Sequence, residues 1–315
     1  MPISKLKNKT IGITLGDPSG IGPEIIAKAL SNRAIRDLAN FKIIGDLSIY
    51  KRYSQAEYKN CDFIDLKTIQ PKHFKIGTIN EHSGKAAFSY LEKSVELLKS
   101  GEITSIVTAP VCKEAISLSY PNFCGHTEFL ASAFNIKNFG MMFLGPRLRL
   151  LLATRHIPIN KIPSILTSDL VYETIDLADK TLKSTFRIKK PSIAILGLNP
   201  HAGEGGILGK EEEDIIIPAM NKAISRKIIV KGPFPSDTFF IDNSTKYDMI
   251  IAMYHDQGLI PIKTLYFTQL VNFTIGLPII RTSPAHGTAF DIAGKGKADP
   301  SSMIESIKLA IHLSQ

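Results

Sequence analysis

A chain of 315 residues, 44% hydrophobic and 21% charged, has the composition of a folded protein with a sizeable core and room for about two ordinary domains, which excludes a disordered or fibrous chain. The net charge of +9, from 38 Lys plus Arg against 29 Asp plus Glu, is scattered without the basic stripe interleaved with aromatics that nucleic-acid binding needs; it suits the steering of an anionic metabolite. No apolar run approaches the roughly 18 residues of a membrane span. The first, Ile11 to Leu15, is broken at once by Gly16-Asp17-Pro18, too soon for a signal-peptide core. Cys61, Cys112 and Cys124 are isolated and form no Cys-x-x-Cys pair, so the sequence reads as that of a cytoplasmic protein without a disulfide framework.

Strand-like runs alternate with helical patterns from end to end, the signature of an α/β protein with much parallel sheet. Thr10–Leu15 is the first strand. A Gly/Pro turn and a helix from Pro23 to Leu30 follow, with Pro23 in the first turn where a missing N–H costs nothing. Phe88, Leu91, Val95 and Leu98 recur at helical spacing with Gly101 as a stop, and Ser105–Pro110 is the next strand. Apolar spacing over 170–183 and 212–226 predicts two more helices. A last one starts near Asp299-Pro300 with Ile304, Ile307 and Ile311 on one side. There is no internal repeat and no linker of biased composition.

Three apolar runs, 148–153, 193–198 and 249–254, each end within three residues of a histidine: His156, His201 and His255. Loops leaving the carboxyl ends of parallel strands are where α/β sheets bind ligands. Three imidazoles at such an edge could hold a metal and leave a position open; the bland reading of each is a solvated loop residue. Asp256 or Gln257 could orient His255. The turn Gly16–Glu24 is neither a dinucleotide fingerprint nor a phosphate loop and reads either as a tight structural turn or as a set of N–H groups facing an anion. Gly125-His126-Thr127-Glu128 reads as a helix cap or as a polar triad. Lys263, Asn272 and Arg281 stand beside apolar stretches, where a cation needs a carboxylate or an anionic ligand as partner. His286–Pro300 has the composition of a surface loop around something flat or phosphorylated.

These stretches together (Gly16–Glu24, Thr108-Ala109-Pro110, Gly125–Phe129, the three histidine loops and Gly276–Pro300) resemble the 4-hydroxythreonine-4-phosphate dehydrogenase family over essentially the whole chain. Gly20–Glu24 and His286–Gly296 also look like the wider isopropylmalate and isocitrate dehydrogenase superfamily. That resemblance implies two α/β domains flanking a cleft, divided at about 1–125 plus 265–315 on the cofactor side and 126–264 for metal binding and dimerisation. It implies that His156, His201 and His255 hold one divalent ion (zinc, magnesium or cobalt) at a homodimer interface. His126, Thr127, Lys263, Asn272 and Arg281 would bind the phosphorylated substrate, with His126 and Lys263 as candidates for moving the proton. His286, Thr288 and Asp291 would contact the adenosine part of NAD or NADP. Asp237 matches an acidic position near the family's active site, and Cys112 stands where relatives carry other polar residues. The activity implied is oxidation of 4-phosphooxy-L-threonine followed by decarboxylation. The competing readings are a threonate or erythronate 4-phosphate dehydrogenase, a three-histidine zinc hydrolase, and an anion-binding protein without chemistry.

Overall fold

The computed structural model describes residues 9–242 and 244–315. The chain forms two compact units, one comprising the chain up to Lys137 with Val271–Phe273 and Leu277–Gln315, the other Asn138–Leu270 with Thr274–Gly276.

In the first unit, strands β1 (Thr10–Thr14), β2 (Asn40–Gly45), β3 (Cys61–Asp65) and β4 (Ser105–Thr108) are joined by a strand from late in the chain, Ile280–Pro284. The order is β3-β2-β1-β4 and then Ile280–Pro284, and the paired neighbours run parallel. Ile11, Ile13, Ile43, Ile106 and Val107 are buried, as expected of parallel strands covered on both faces. The order reverses between β1 and β4, so the turns after Thr14 and Thr108 open at the point where such sheets bind ligands.

Local signals set the helices. Asn80 accepts a hydrogen bond from the Ser83 N–H (2.8 Å) and starts Glu81–Lys99 ahead of the apolar stripe that marks it in the sequence. Gly101 ends it at φ +77°, the left-handed conformation that glycine adopts without cost. Phe88 of this helix meets Phe129 edge-on (centroids 5.3 Å apart), and Leu91 packs with Ile116 and Phe123. The helix His126–Ala133 is thereby seated in the first unit. The final helix, Ser301–Leu313, buries Ile307 and Ile311.

In the second unit, β5 (Gly140–Leu144), β6 (Arg149–Leu152), β7 (Ser192–Leu196), β8 (Ile229–Phe234) and β9 (Met249–Ala252) lie in the order β5-β6-β9-β7-β8. Only β5 and β6 among these pairs are antiparallel. The helix expected over 212–226 departs from regularity: Glu212–Ile216 is a π-turn that passes into the α-helix Ile217–Ser225, and the buried Glu212 carboxylate at its start turns back to the end of β7. No helix among the described residues is long and apolar enough to cross a membrane.

Candidate active site

In the second unit, β6, β9 and β7 are parallel neighbours, so His156, His255 and His201 all leave the same edge. Side chains stitch these strand ends together. The Thr154 hydroxyl donates to the Met253 carbonyl (2.6 Å), tying the loop after β6 to that after β9. Gln257 accepts from the Met253 N–H (2.7 Å) and donates to the Gly197 carbonyl, tying β9 to β7. Glu212 accepts from the N–H groups of Leu198 (2.7 Å) and Asn199 (2.8 Å), and so directs the loop that carries His201.

The rings of His156 and His255 lie 5.6 Å apart, centroid to centroid. The Nδ1 of His255 is 2.6 Å from an Asp256 carboxylate oxygen, which leaves Nε2 as the ring nitrogen that could meet a ligand. Of the two orienters open in the sequence, Asp256 takes the ring and Gln257 the backbone. His201 is exposed, in a run where His201, Ala202 and Glu204 all have φ between 45° and 54°. Among the described residues no three His, Cys, Asp or Glu side chains are grouped closely enough to hold an ion. The donor chemistry of two adjacent imidazoles, one backed by a carboxylate, nevertheless suits a divalent metal. Lys263 is half-buried on the helix His255–Tyr266, and Asp237 is exposed on Ser236–Asp242.

In the first unit, Arg281 is only 2% exposed, and its Nε and Nη2 both donate to the Thr108 hydroxyl (3.1 and 2.7 Å). Burial lowers its pKa to about 10, opposed by the charge of Glu128. His126 opens the helix His126–Ala133 behind Gly125, whose φ of +139° would strain any other residue; Lys113 and Glu128 stand 3.1 to 3.3 Å from where a Cβ would sit. Burial, then the charges of Arg281 and Lys113, push the His126 pKa well below its usual range, so the imidazole is neutral. Its Nε2 and the side-chain oxygen of Asn272 are buried without hydrogen-bond partners. Thr127, next to His126 in the chain, is buried as well. A neutral imidazole under the field of two cations, Arg281 and Lys113, is an arrangement that an anion would complete.

The segment bearing His286, Thr288 and Asp291 lies in the same unit. His286 Nδ1 is 3.0 Å from the Gly287 carbonyl, Thr288 is half-buried and Asp291 is exposed. Cys112 caps the short helix Lys113–Ser117 through its Sγ. Thr108, Thr154, Glu212 and Asp17 take roles here that their sequence positions alone do not assign. Asp17, fully buried after β1, accepts from the Ser19 N–H (2.9 Å). Burial raises its pKa from the ordinary 3.8 to about 6, while the N–H groups of Ser19 and Cys112 pull it down. The folded protein thus binds this proton more tightly than the unfolded chain does. The associated stability is present at low pH and lost as the pH rises from 3.8 through about 6. Asp17→Asn, which cannot ionise, is expected to exceed the parent by up to about 3 kcal/mol in denaturant unfolding at neutral pH, an advantage that vanishes near pH 4.

The sequence pattern of the family described as pyridoxal phosphate biosynthetic protein PdxA matches residues 22–310. A 4-hydroxythreonine-4-phosphate dehydrogenase of Desulforapulum autotrophicum is 42% identical over 319 residues, covering 95% of this chain and 94% of that one. A D-threonate 4-phosphate dehydrogenase of Salmonella typhimurium is 40% identical, covering 98% and 100%. The crystal structure of 4-hydroxythreonine-4-phosphate dehydrogenase from Klebsiella pneumoniae superposes with a TM-score of 0.85 at 36% identity, over 99% of this chain and 100% of that one. At fold level alone, a β-decarboxylating dehydrogenase from Thermococcus kodakarensis matches with a TM-score of 0.54 at 15% identity, over 97% of this chain and 85% of that one.

Proposed function

The chain belongs to the PdxA family of dehydrogenases, and from that premise we propose that it oxidises 4-phosphooxy-L-threonine with NAD or NADP and a divalent metal. The product, 2-amino-3-oxo-4-phosphooxybutanoate, loses CO2 to give 3-amino-2-oxopropyl phosphate. The observation that carries this reading is the buried Arg281, held by Thr108, near a neutral His126. Such a site takes a phosphorylated anion and still offers a proton-accepting nitrogen.

Arg281, Asn272 and Thr127 bind and orient the substrate. His126, uncharged at neutral pH, holds the C3 hydroxyl in a hydrogen bond at Nε2, and is a candidate for moving its proton once the substrate's negative charge offsets Arg281 and Lys113. Lys263 contacts the carboxylate or phosphate and is the second candidate for proton transfer. His286, Thr288 and Asp291 meet the adenosine portion of the cofactor. His156 and His255, whose rings are neighbours, would hold the ion with His201 as the third ligand once its loop closes on it, and Asp256 would fix the tautomer of His255. A divalent ion held there would supply Lewis-acid polarisation of the C3 oxygen, and a bound nicotinamide would supply the hydride acceptor.

NADH formation from 4-phosphooxy-threonine, followed by ultraviolet absorbance, should be metal-dependent and abolished by chelator; no NADH under metal-replete conditions would falsify the assignment. Asp256→Ala is expected to weaken metal affinity about 10- to 100-fold, read by titration of the apoprotein. Dehydrogenase membership displaces the hydrolase reading and the reading without chemistry. Threonate 4-phosphate remains as a second substrate, favoured by the Salmonella relative. A higher kcat/KM for that hydroxy acid than for the amino acid would reverse the preference.

Homodimerisation is supported by large apolar side chains exposed on the second unit, Ile159, Ile241, Ile260 and Phe267 among them. Ile260→Asp should shift the protein from dimer to monomer in light scattering.

A further inference from the structure

Four N–H groups of the turn Gly16–Glu24 are engaged within the chain. The Asp17 N–H donates to the Pro110 carbonyl, Ser19 to the Asp17 side chain, Gly20 to the Asp17 carbonyl and Ile21 to the Thr288 carbonyl, all at 2.9 to 3.0 Å. A Cβ on Gly20 would come within 3.0 Å of Thr288, so the turn lies flat against that residue. One turn further along the helix Gly22–Ser31, Glu24 is 2% exposed and its Oε1 accepts from the Ala298 N–H (3.0 Å) and the Lys28 ammonium (2.7 Å). Lys28 donates in addition to the carbonyls of Gly296 (2.8 Å) and Ala298 (2.7 Å). The start of this helix therefore grips the segment 288–298 at both ends.

Between those grips the segment has little regular structure of its own, and Ala289, Gly294 and Gly296 all have positive φ. Two turn bonds, Ile292 N–H to the Ala289 carbonyl and Lys295 N–H to the Ile292 carbonyl, shape it locally, and its ends are set by the helix Gly22–Ser31. We propose that Glu24 is a positioning residue for cofactor binding. Through Lys28 and Ala298 it fixes the course of the segment, and so the placing of Thr288 and Asp291 against the adenosine moiety. The inference rests on the reading above that this segment meets the cofactor.

The test uses the metal-loaded protein, with NADH affinity measured by fluorescence titration. Glu24→Ala should raise the cofactor Kd and KM about tenfold, with kcat at saturating cofactor, the KM for phosphorylated substrate and metal content within about twofold. Amide exchange at Gly296 and Ala298 should quicken. Glu24→Gln, whose carbonyl still accepts from Ala298, should restore affinity to within about threefold of the parent. Should Glu24→Ala fail to fold, Lys28→Met, which removes the two bonds to Gly296 and Ala298, should give the same pattern in weaker form. Asp291→Ala separates the two levels of the argument. If it weakens cofactor binding while Glu24→Ala and Lys28→Met do not, the positioning role falls; if none of the three matters, the cofactor reading falls and takes the inference with it. Parallel loss of kcat, metal and substrate affinity in a folded Glu24→Ala would also overturn the role.

Discussion

Arg281→Ala is expected to lower kcat/KM for the phosphorylated substrate on the order of 10²- to 10³-fold, the cost of truncating one partner of a buried, hydrogen-bonded charge pair. The guanidinium is almost wholly enclosed, and burial depresses its pKa to about 10 in spite of the opposing charge of Glu128. Its charge is thus no asset to folding, and the variant should remain folded in thermal denaturation. Arg281→Lys should rescue little, because an ammonium cannot reproduce the two bonds that Nε and Nη2 make to Thr108. Thr108→Val, which removes only the anchor, should cost about tenfold. Steady-state kinetics on phosphorylated and dephosphorylated substrate give a sharper readout, since the discrimination between them should shrink in Arg281→Ala. Unchanged discrimination would remove Arg281 from the phosphate site.

His201→Ala is expected to lose both bound metal and turnover, the latter by about 10³-fold or more, as for loss of a Lewis acid worth several kcal/mol. His201 is exposed on its loop, so thermal stability should stay close to that of the parent. Affinity for a phosphorylated acid should persist in part, carried by Arg281. Elemental analysis and NADH formation measured on the same preparation distinguish this from general damage. Normal metal content with full turnover would show that His201 is no ligand.

The strands and most helices were legible because their signals are local. Ile11 and Ile13 lie in a short apolar run, Leu91, Val95 and Leu98 recur at helical spacing, and Gly101 marks a stop. The shared edge of the three histidines was legible for the same reason, since each follows a parallel strand closely. What holds those loops was not. Thr154 reaches Met253, Gln257 reaches Gly197, and Glu212 reaches Leu198, each acting on a backbone group that only the folded sheet brings near. The π-turn at Glu212 was hidden likewise, because apolar spacing reports which face is buried and says nothing of where a carboxylate turns. Arg281 could be read as needing a partner, but Thr108, 173 residues away, could not be named.

Gly125 sets a boundary for engineering. With φ at +139°, a side chain at this position would be strained, and the ends of Lys113 and Glu128 would have to give way to it. A combinatorial library that randomises residues 124–129 to change substrate preference would spend most of its members on chains that misplace His126. Holding Gly125 fixed and diversifying its neighbours keeps the imidazole in register while the pocket around it is searched.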